Sequence, residues 1–240
     1  MTNLLQAPDP QPSSSSPLLR FYRSPIGKKL VSGLTGLALV TFVVVHLVGN
    51  LWLWAGRQAY NAYAHRLESW GGLLYAIEAL LLLTLLMHMA VGLEIFMGRL
   101  RARPEGYQRY QSVGGDSLQS LGSRTMVVTG TTLGIFLVAH LLTFKFGPYY
   151  STELQGETVR DLARLVVEVF RQPAPTLVYS AVLLGLGVHL RHGLWSALQS
   201  LGLLQGPQRS LAVGASLVLA IAMVLGFGVL PWAVFLGAIA

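Results

Sequence analysis

Long apolar runs, separated by shorter polar stretches, dominate the chain. Five such runs lie at about 29–54, 71–98, 124–147, 176–201 and 211–237, with ends fixed to roughly 2–4 residues. Each is long enough to cross a hydrocarbon core of about 30 Å at about 1.5 Å per helical residue. The pattern therefore predicts an all-α membrane protein built as a bundle of five transmembrane helices. Pro231 and several glycines sit in the fifth run, so its far end is expected to be kinked or irregular. No period of 20–50 residues recurs clearly.

The polar stretches differ from one another. The first 20 residues, with Ser13 to Ser16 flanked by prolines, hold too little apolar surface to fold alone and are expected to form a flexible tail ahead of a membrane domain at 21–240. The first apolar run is too long for the core of a signal peptide, so it is read as a first spanning helix. Residues 55–70 are short and polar. Residues 99–123 carry Arg99, Arg101, Arg103 and Arg109, and 148–175 are mixed in charge. Within the latter, Leu162, Leu165, Val166 and Val169 recur at helical spacing, which predicts an interfacial helix over Glu157 to Phe170.

Composition agrees with the apolar runs. The 240 residues are 53% hydrophobic and 11% charged, against about 25% charged in a soluble domain. A net charge of +7 raises nucleic acid as a partner, but the charges lie between apolar runs, where they set membrane orientation instead. With the N-terminus on the cytoplasmic side, eleven of the seventeen lysines and arginines fall inside. Of the outer six, Arg160, Arg164 and Arg171 share the 148–175 loop with Glu153, Glu157, Asp161 and Glu168, and Lys145 borders it. The chain has no cysteine, which excludes a disulfide framework, a cysteine-held iron–sulfur cluster and covalent haem attachment through CxxCH. Neither HExxH nor GxSxG occurs, which argues against an intramembrane protease.

Of the six histidines, His46, His88, His140 and His189 fall within apolar runs, one on each of the first four and none on the fifth. A single histidine there is equally well explained by a bond to a backbone carbonyl across a helix interface. Four so distributed point to a cofactor, because an intramembrane imidazole is costly without a partner, cavity or metal. Each lies in the second half of its run, and successive runs alternate in direction. His46 and His140 are thus expected toward the outer face, and His88 and His189 toward the inner, at depths roughly 6–10 Å apart. Two facing imidazoles can fill both axial positions of a haem iron. Gly49, Gly92 and Gly193 lie three or four residues after a histidine, on the same helix face, where a flat macrocycle can approach the backbone. Helix packing is the competing explanation for such glycines. His140 has Thr143 in the corresponding place.

Several stretches carry a resemblance. They are Gly27-Lys28-Lys29 through Gly33 and Gly36 to His46-Leu47-Val48-Gly49-Asn50, Tyr60-Asn61-Ala62-Tyr63-Ala64-His65 and Ser123-Arg124-Thr125-Met126. To these add His140 through Phe144-Lys145-Phe146-Gly147, and His189-Leu190-Arg191-His192-Gly193-Leu194-Trp195-Ser196. Together they resemble the cytochrome b subunit family of succinate dehydrogenases and fumarate reductases, in its single-chain, five-helix, di-haem form. The likeness covers about residues 22–205. It implies two b haems held by His46, His88, His140 and His189. It also implies docking on the cytoplasmic side to a flavoprotein subunit carrying FAD and an iron–sulfur subunit. Electrons would then be exchanged with menaquinone or another quinone in a bacterial cytoplasmic (inner) membrane. His189 stands four residues before the glycine of the Gly-Leu-Trp stretch, the family's ligand position, which leaves His192 a structural or propionate-contacting role. Some fumarate reductase relatives carry an acid just before this ligand; here Gly185, Leu186, Gly187 and Val188 stand there, which argues against the same proton route.

Weaker candidates complete the reading. Glu78 and His65, near the outer face, are candidates for a quinone pocket, and Glu78 could equally pair with a neighbouring helix. Ser32 and Arg124, at inner helix ends, are candidates for propionate contacts. Glu94 and Arg99 read as interfacial, and the arginines of 99–109 as a topology signal or a dock for the iron–sulfur subunit. Two other readings stay open: a di-haem anchor of another respiratory complex, such as a formate dehydrogenase or hydrogenase, and a haem-free membrane scaffold or transporter.

Overall fold

The computed structural model describes residues 16–102, 121–204 and 206–240. Most of the expected tail, and the part of the second connection that carries Arg103 and Arg109, lie outside the described residues. In chain order the elements are α1 (Pro17–Arg23), α2 (Pro25–Leu51), a 3₁₀ turn (Trp52–Ala55), α3 (Arg57–Glu68), α4 (Gly72–Ala102) and α5 (Leu121–His140). A π turn (Leu141–Lys145), β1 (Ser151–Leu154), β2 (Glu157–Arg160), α6 (Leu162–Phe170), α7 (Pro173–Ser200) and α8 (Gln208–Phe235) follow. Among the described residues five helices are long and apolar enough to cross a membrane: α2 with its 3₁₀ extension, α4, α5 with its π turn, α7 and α8.

Proline and serine set the first boundaries. Ser16 caps α1 by accepting from the Leu19 N–H (3.3 Å), and Pro17 occupies the first turn, where its missing N–H costs nothing. Helix therefore begins before residue 20, inside the expected tail. Ser24 ends α1 and caps α2 through the Gly27 N–H (3.0 Å), with Pro25 again in the first turn. At the far end of the chain, α8 continues through the buried Pro231 to Phe235. The irregularity expected there amounts to a proline inside an otherwise continuous helix.

Close approaches join the spanning helices. α2 packs on α4, α7 and α8, α5 on α7, and α7 on α8. A Cβ at Gly187 would lie 2.6 Å from the Val224 side chain, and one at Gly226 would lie 2.7 Å from Leu47. Absent side chains thus let α7 meet α8 and α8 meet α2, as is usual for helices in lipid.

A second layer closes one end of the bundle, the outer end in the predicted orientation. Residues 55–70, expected only as a polar connection, form α3. The predicted interfacial helix starts at Leu162, and its expected first turn is instead the strand β2, paired antiparallel with β1. α6 is strongly one-sided: Ala163, Val166, Val167 and Phe170 are buried against Leu53, Tyr60, Leu230 and Val234, and Leu165 is buried as well. This is the largest continuous apolar core among the described residues. Asp161 fastens it. Its carboxylate accepts from the Arg164 N–H (3.0 Å) as the cap of α6, from Asn61 (2.8 Å) and from Arg57 (2.9 Å), while the Ala163 N–H donates to Asn61 Oδ1 (2.9 Å).

Candidate functional site

A cavity of about 1450 Å³ runs through the bundle, from Ser32, Arg124 and Ser200 at one end to Tyr60, Glu78 and Tyr149 at the capped end. That exceeds the roughly 300–1,000 Å³ of a site for one small ligand. His46, His88, His140 and His189 all line it.

The four rings meet in the pairs expected from the alternation of helix direction. The His46 and His140 ring centroids are 5.8 Å apart with planes crossed at 87°; those of His88 and His189 are 6.4 Å apart at 70°. A metal–imidazole bond of about 2.0–2.1 Å, added to the radius of the ring on each side, puts two axial imidazoles at a centroid spacing of about 6.3 Å. The His88–His189 pair has that spacing. The His46–His140 pair is about half an ångström closer. Among the described residues no group of three or more histidine and acidic side chains is placed to hold a bare ion. A cofactor that brings its own equatorial ligands asks only for the two axial groups each pair offers.

The surroundings of the two pairs differ. His88 and His189 each turn Nδ1 toward a threonine on the neighbouring helix: Thr35 Oγ1 lies 3.2 Å from His88 Nδ1, and Thr129 Oγ1 lies 3.0 Å from His189 Nδ1. The next residue is glycine in both cases, and a Cβ there would stand 3.2 Å (Gly36) or 3.3 Å (Gly130) from the imidazole Cε1. The other pair sits among aromatic rings. Phe42 stacks on His46 at 5.5 Å, with Phe227 at 5.8 Å. His140 is flanked by Phe136, Phe144 and Tyr179, and its Nδ1 lies 3.3 Å from the Tyr179 hydroxyl.

The glycines behind the histidines do not all act alike. Gly92 and Gly193 line the cavity, and a Cβ at either would meet at most one atom, Met126 Cε at 3.9 Å from that of Gly193. Both leave room beside a ring. Gly49 does not: its missing Cβ is replaced by Tyr63, whose hydroxyl would be 2.6 Å away. That glycine seats α3 on α2. The neighbouring Tyr60 donates to Asn50 Oδ1 (3.2 Å), and Asn50 Nδ2 donates to the His46 carbonyl (2.8 Å). Burial, then the nearby Tyr63, pushes the Tyr60 phenol up to about 12, so it stays a neutral donor.

The two pairs also lie farther apart in depth than the expected 6–10 Å. Thr35 is level with His88 and stands eleven residues before His46 on α2, as Thr129 stands before His140 on α5. Eleven helical residues are about 16 Å.

The remaining candidates separate. Ser32, Arg124 and His192 line the end of the cavity away from the cap, with the His192 ring edge-on to Trp195 at 5.4 Å. Glu78 lines the capped end and is ion-paired with Lys145, whose position follows from the π turn after His140. His65 does not line the cavity; its Nε2 lies 3.4 Å from Glu157. Glu94 holds Lys28 (2.9 Å) and accepts from the Tyr22 hydroxyl (3.3 Å), tying α4 to α2 and α1. Arg160 was not anticipated. It lines the cavity, donates through Nη2 to the Phe144 carbonyl (2.8 Å), and keeps a buried Nε with no acceptor among the described residues. A carboxylate or quinone oxygen at the capped end would meet a fixed positive charge there.

Protein-family models, curated proteins and solved structures offer no match to this chain.

Proposed function

We propose that this chain is the cytochrome b membrane anchor of a succinate dehydrogenase or fumarate reductase. One b haem would be held by His46 and His140, a second by His88 and His189. The observation that carries the reading is the meeting of four intramembrane histidines, from four helices, as two pairs along one cavity. A haem held by either pair would supply one-electron transfer. The protein's part is to fix the imidazoles, keep water from them and bracket the cavity with polar ends. Arg124 and Ser32 serve propionates at the inner end. Glu78, with Lys145 and Arg160, offers proton exchange and hydrogen bonding to menaquinone or another quinone at the capped end.

The choice of complex rests on the resemblance carried by Tyr60 to His65, His140 to Gly147 and His189 to Ser196. In that assembly a flavoprotein subunit with FAD and an iron–sulfur subunit dock on the cytoplasmic side of a bacterial inner membrane, and the dicarboxylate chemistry is theirs. The test is a reduced-minus-oxidised visible spectrum of the purified complex, with haem quantified per chain, followed by addition of succinate. Two b haems per chain, reduced by succinate, are expected. Haem reduced by formate or hydrogen but not by succinate would move the chain to another respiratory complex. Folded protein that carries no haem although haem was supplied during expression would leave the scaffold reading.

A further inference from the structure

The threonine–glycine dipeptides 35–36 and 129–130 are placed alike around the inner histidines. Each threonine is one turn after a carbonyl that takes its hydroxyl hydrogen: Thr35 Oγ1 donates to the Val31 carbonyl (2.7 Å) and Thr129 Oγ1 to the Thr125 carbonyl (3.0 Å). A hydroxyl has a single hydrogen. With that hydrogen committed to the helix, the threonine oxygen faces the ring as an acceptor for Nδ1–H, joined at His88 by the Ser32 backbone carbonyl. The proton is thereby fixed on Nδ1, and Nε2, on the opposite side of the ring, keeps its lone pair. The adjacent glycine, with no Cβ, lets the ring edge close to 3.2–3.3 Å of where one would stand. Both inner rings receive this treatment from the neighbouring helix, α2 for His88 and α5 for His189. The His46 ring makes no hydrogen bond among the described residues, and His140 has only the longer contact to Tyr179.

We infer that Thr35 and Thr129 are positioning residues that set the tautomer and the donor strength of the inner histidine pair, and so tune the inner haem separately from the outer one. This rests on the di-haem reading above. An Nδ1–H bond to an oxygen raises the basicity of the ligating nitrogen. A more basic ligand favours ferric over ferrous iron, so the two threonines lower the inner haem's potential.

The test is a potentiometric titration of the purified complex, with the inner component identified as the one lost in His88→Ala. Thr35→Val and Thr129→Val, nearly isosteric, each shift the inner ferric/ferrous equilibrium about tenfold toward ferrous. For a one-electron couple that is a rise of about 59 mV. The outer component stays in place, and Thr35→Ser and Thr129→Ser restore the wild-type value. Thr132→Val, which removes a hydroxyl bonded only to its own helix, moves neither component. If a valine variant loses the inner haem, retention by the serine variant supports the clamp, and loss in both overturns it. No shift, an equal shift of both components, or a shift in Thr132→Val also overturns it. Wild-type protein lacking two haems overturns the di-haem reading together with the clamp, whereas two haems with no shift overturns the clamp alone.

Discussion

Asp161 stands where the hairpin passes into α6 and is held by Asn61, Arg57 and the Arg164 N–H. In the sequence it is one acid among several in a mixed loop, and nothing in its spacing separates it from Glu153 or Glu157. The fold separates it by burial. Burial pushes its carboxyl up, but the bonds from Asn61, Arg164 and Arg57 outweigh that and hold it below the ordinary carboxylate value. Asp161→Ala removes a helix cap and leaves the buried Asn61 without its acceptor, a loss of about 2–4 kcal/mol that should appear as a lower thermal unfolding midpoint. Asp161→Asn keeps a capping oxygen but removes the charge and the second acceptor, which faces Arg57. A depressed folded-state value means the carboxylate's contribution is complete above the unfolded value of about 3.9 and is lost as pH falls through the lower folded value. The asparagine variant should therefore melt below wild type at pH 7, with the gap closing below about pH 4. A gap that stays constant into acid would remove the carboxylate's charge from the account.

At the scale of elements, what could be read was what length and apolarity dictate. The five spanning helices follow from uninterrupted apolar runs, since in lipid a helix is the one open segment that satisfies its own backbone. The capped end was harder, because its elements are specified by contacts distant in sequence. α3 is mostly polar and holds its place through Tyr60, Asn61 and Tyr63, whose partners are Asn50, Asp161 and Gly49. The π turn after His140 inserts no recognisable residue, yet it turns the Phe144 carbonyl to Arg160. The hairpin turn left a faint signal: Gln155 and Gly156 both take positive φ, 53° and 87°, between Leu154 and Glu157. This is the pattern that asparagine–glycine usually occupies, with glutamine in the strained first place. Gln155→Asn should stabilise the hairpin by about 0.5 kcal/mol and Gly156→Val should cost more than about 1 kcal/mol. Slower and faster hydrogen exchange, respectively, at the strand amides would report these changes. Identical exchange in wild type and Gly156→Val would show that the turn does not limit opening.

Over the whole molecule a two-fold pattern emerges that no period of 20–50 residues reveals. α2 and α5 each carry threonine–glycine and, eleven residues after the threonine, a histidine. α4 and α7 each carry a histidine with glycine four residues later. The related positions are about a hundred residues apart, so only the contacts of Thr35 with His88 and Thr129 with His189 bring the likeness out. Each half, α2 with α4 or α5 with α7, thus holds one outer and one inner histidine and completes neither pair. Both pairs form only between halves. If each pair holds one haem, losing either member should have the same result as losing both, since one imidazole leaves an axial position unfilled. His46→Ala, His140→Ala and the double variant are then expected to retain one haem per chain with the same spectrum. His88→Ala and His189→Ala should retain the complementary component, and His46→Ala combined with His88→Ala none. This departure from additivity within a pair, and additivity between pairs, is the signature of two shared sites. Haem quantification and the reduced spectrum of each variant measure it. Loss of one common component in His46→Ala and His88→Ala would sink the pairing and place the ligands within a half instead.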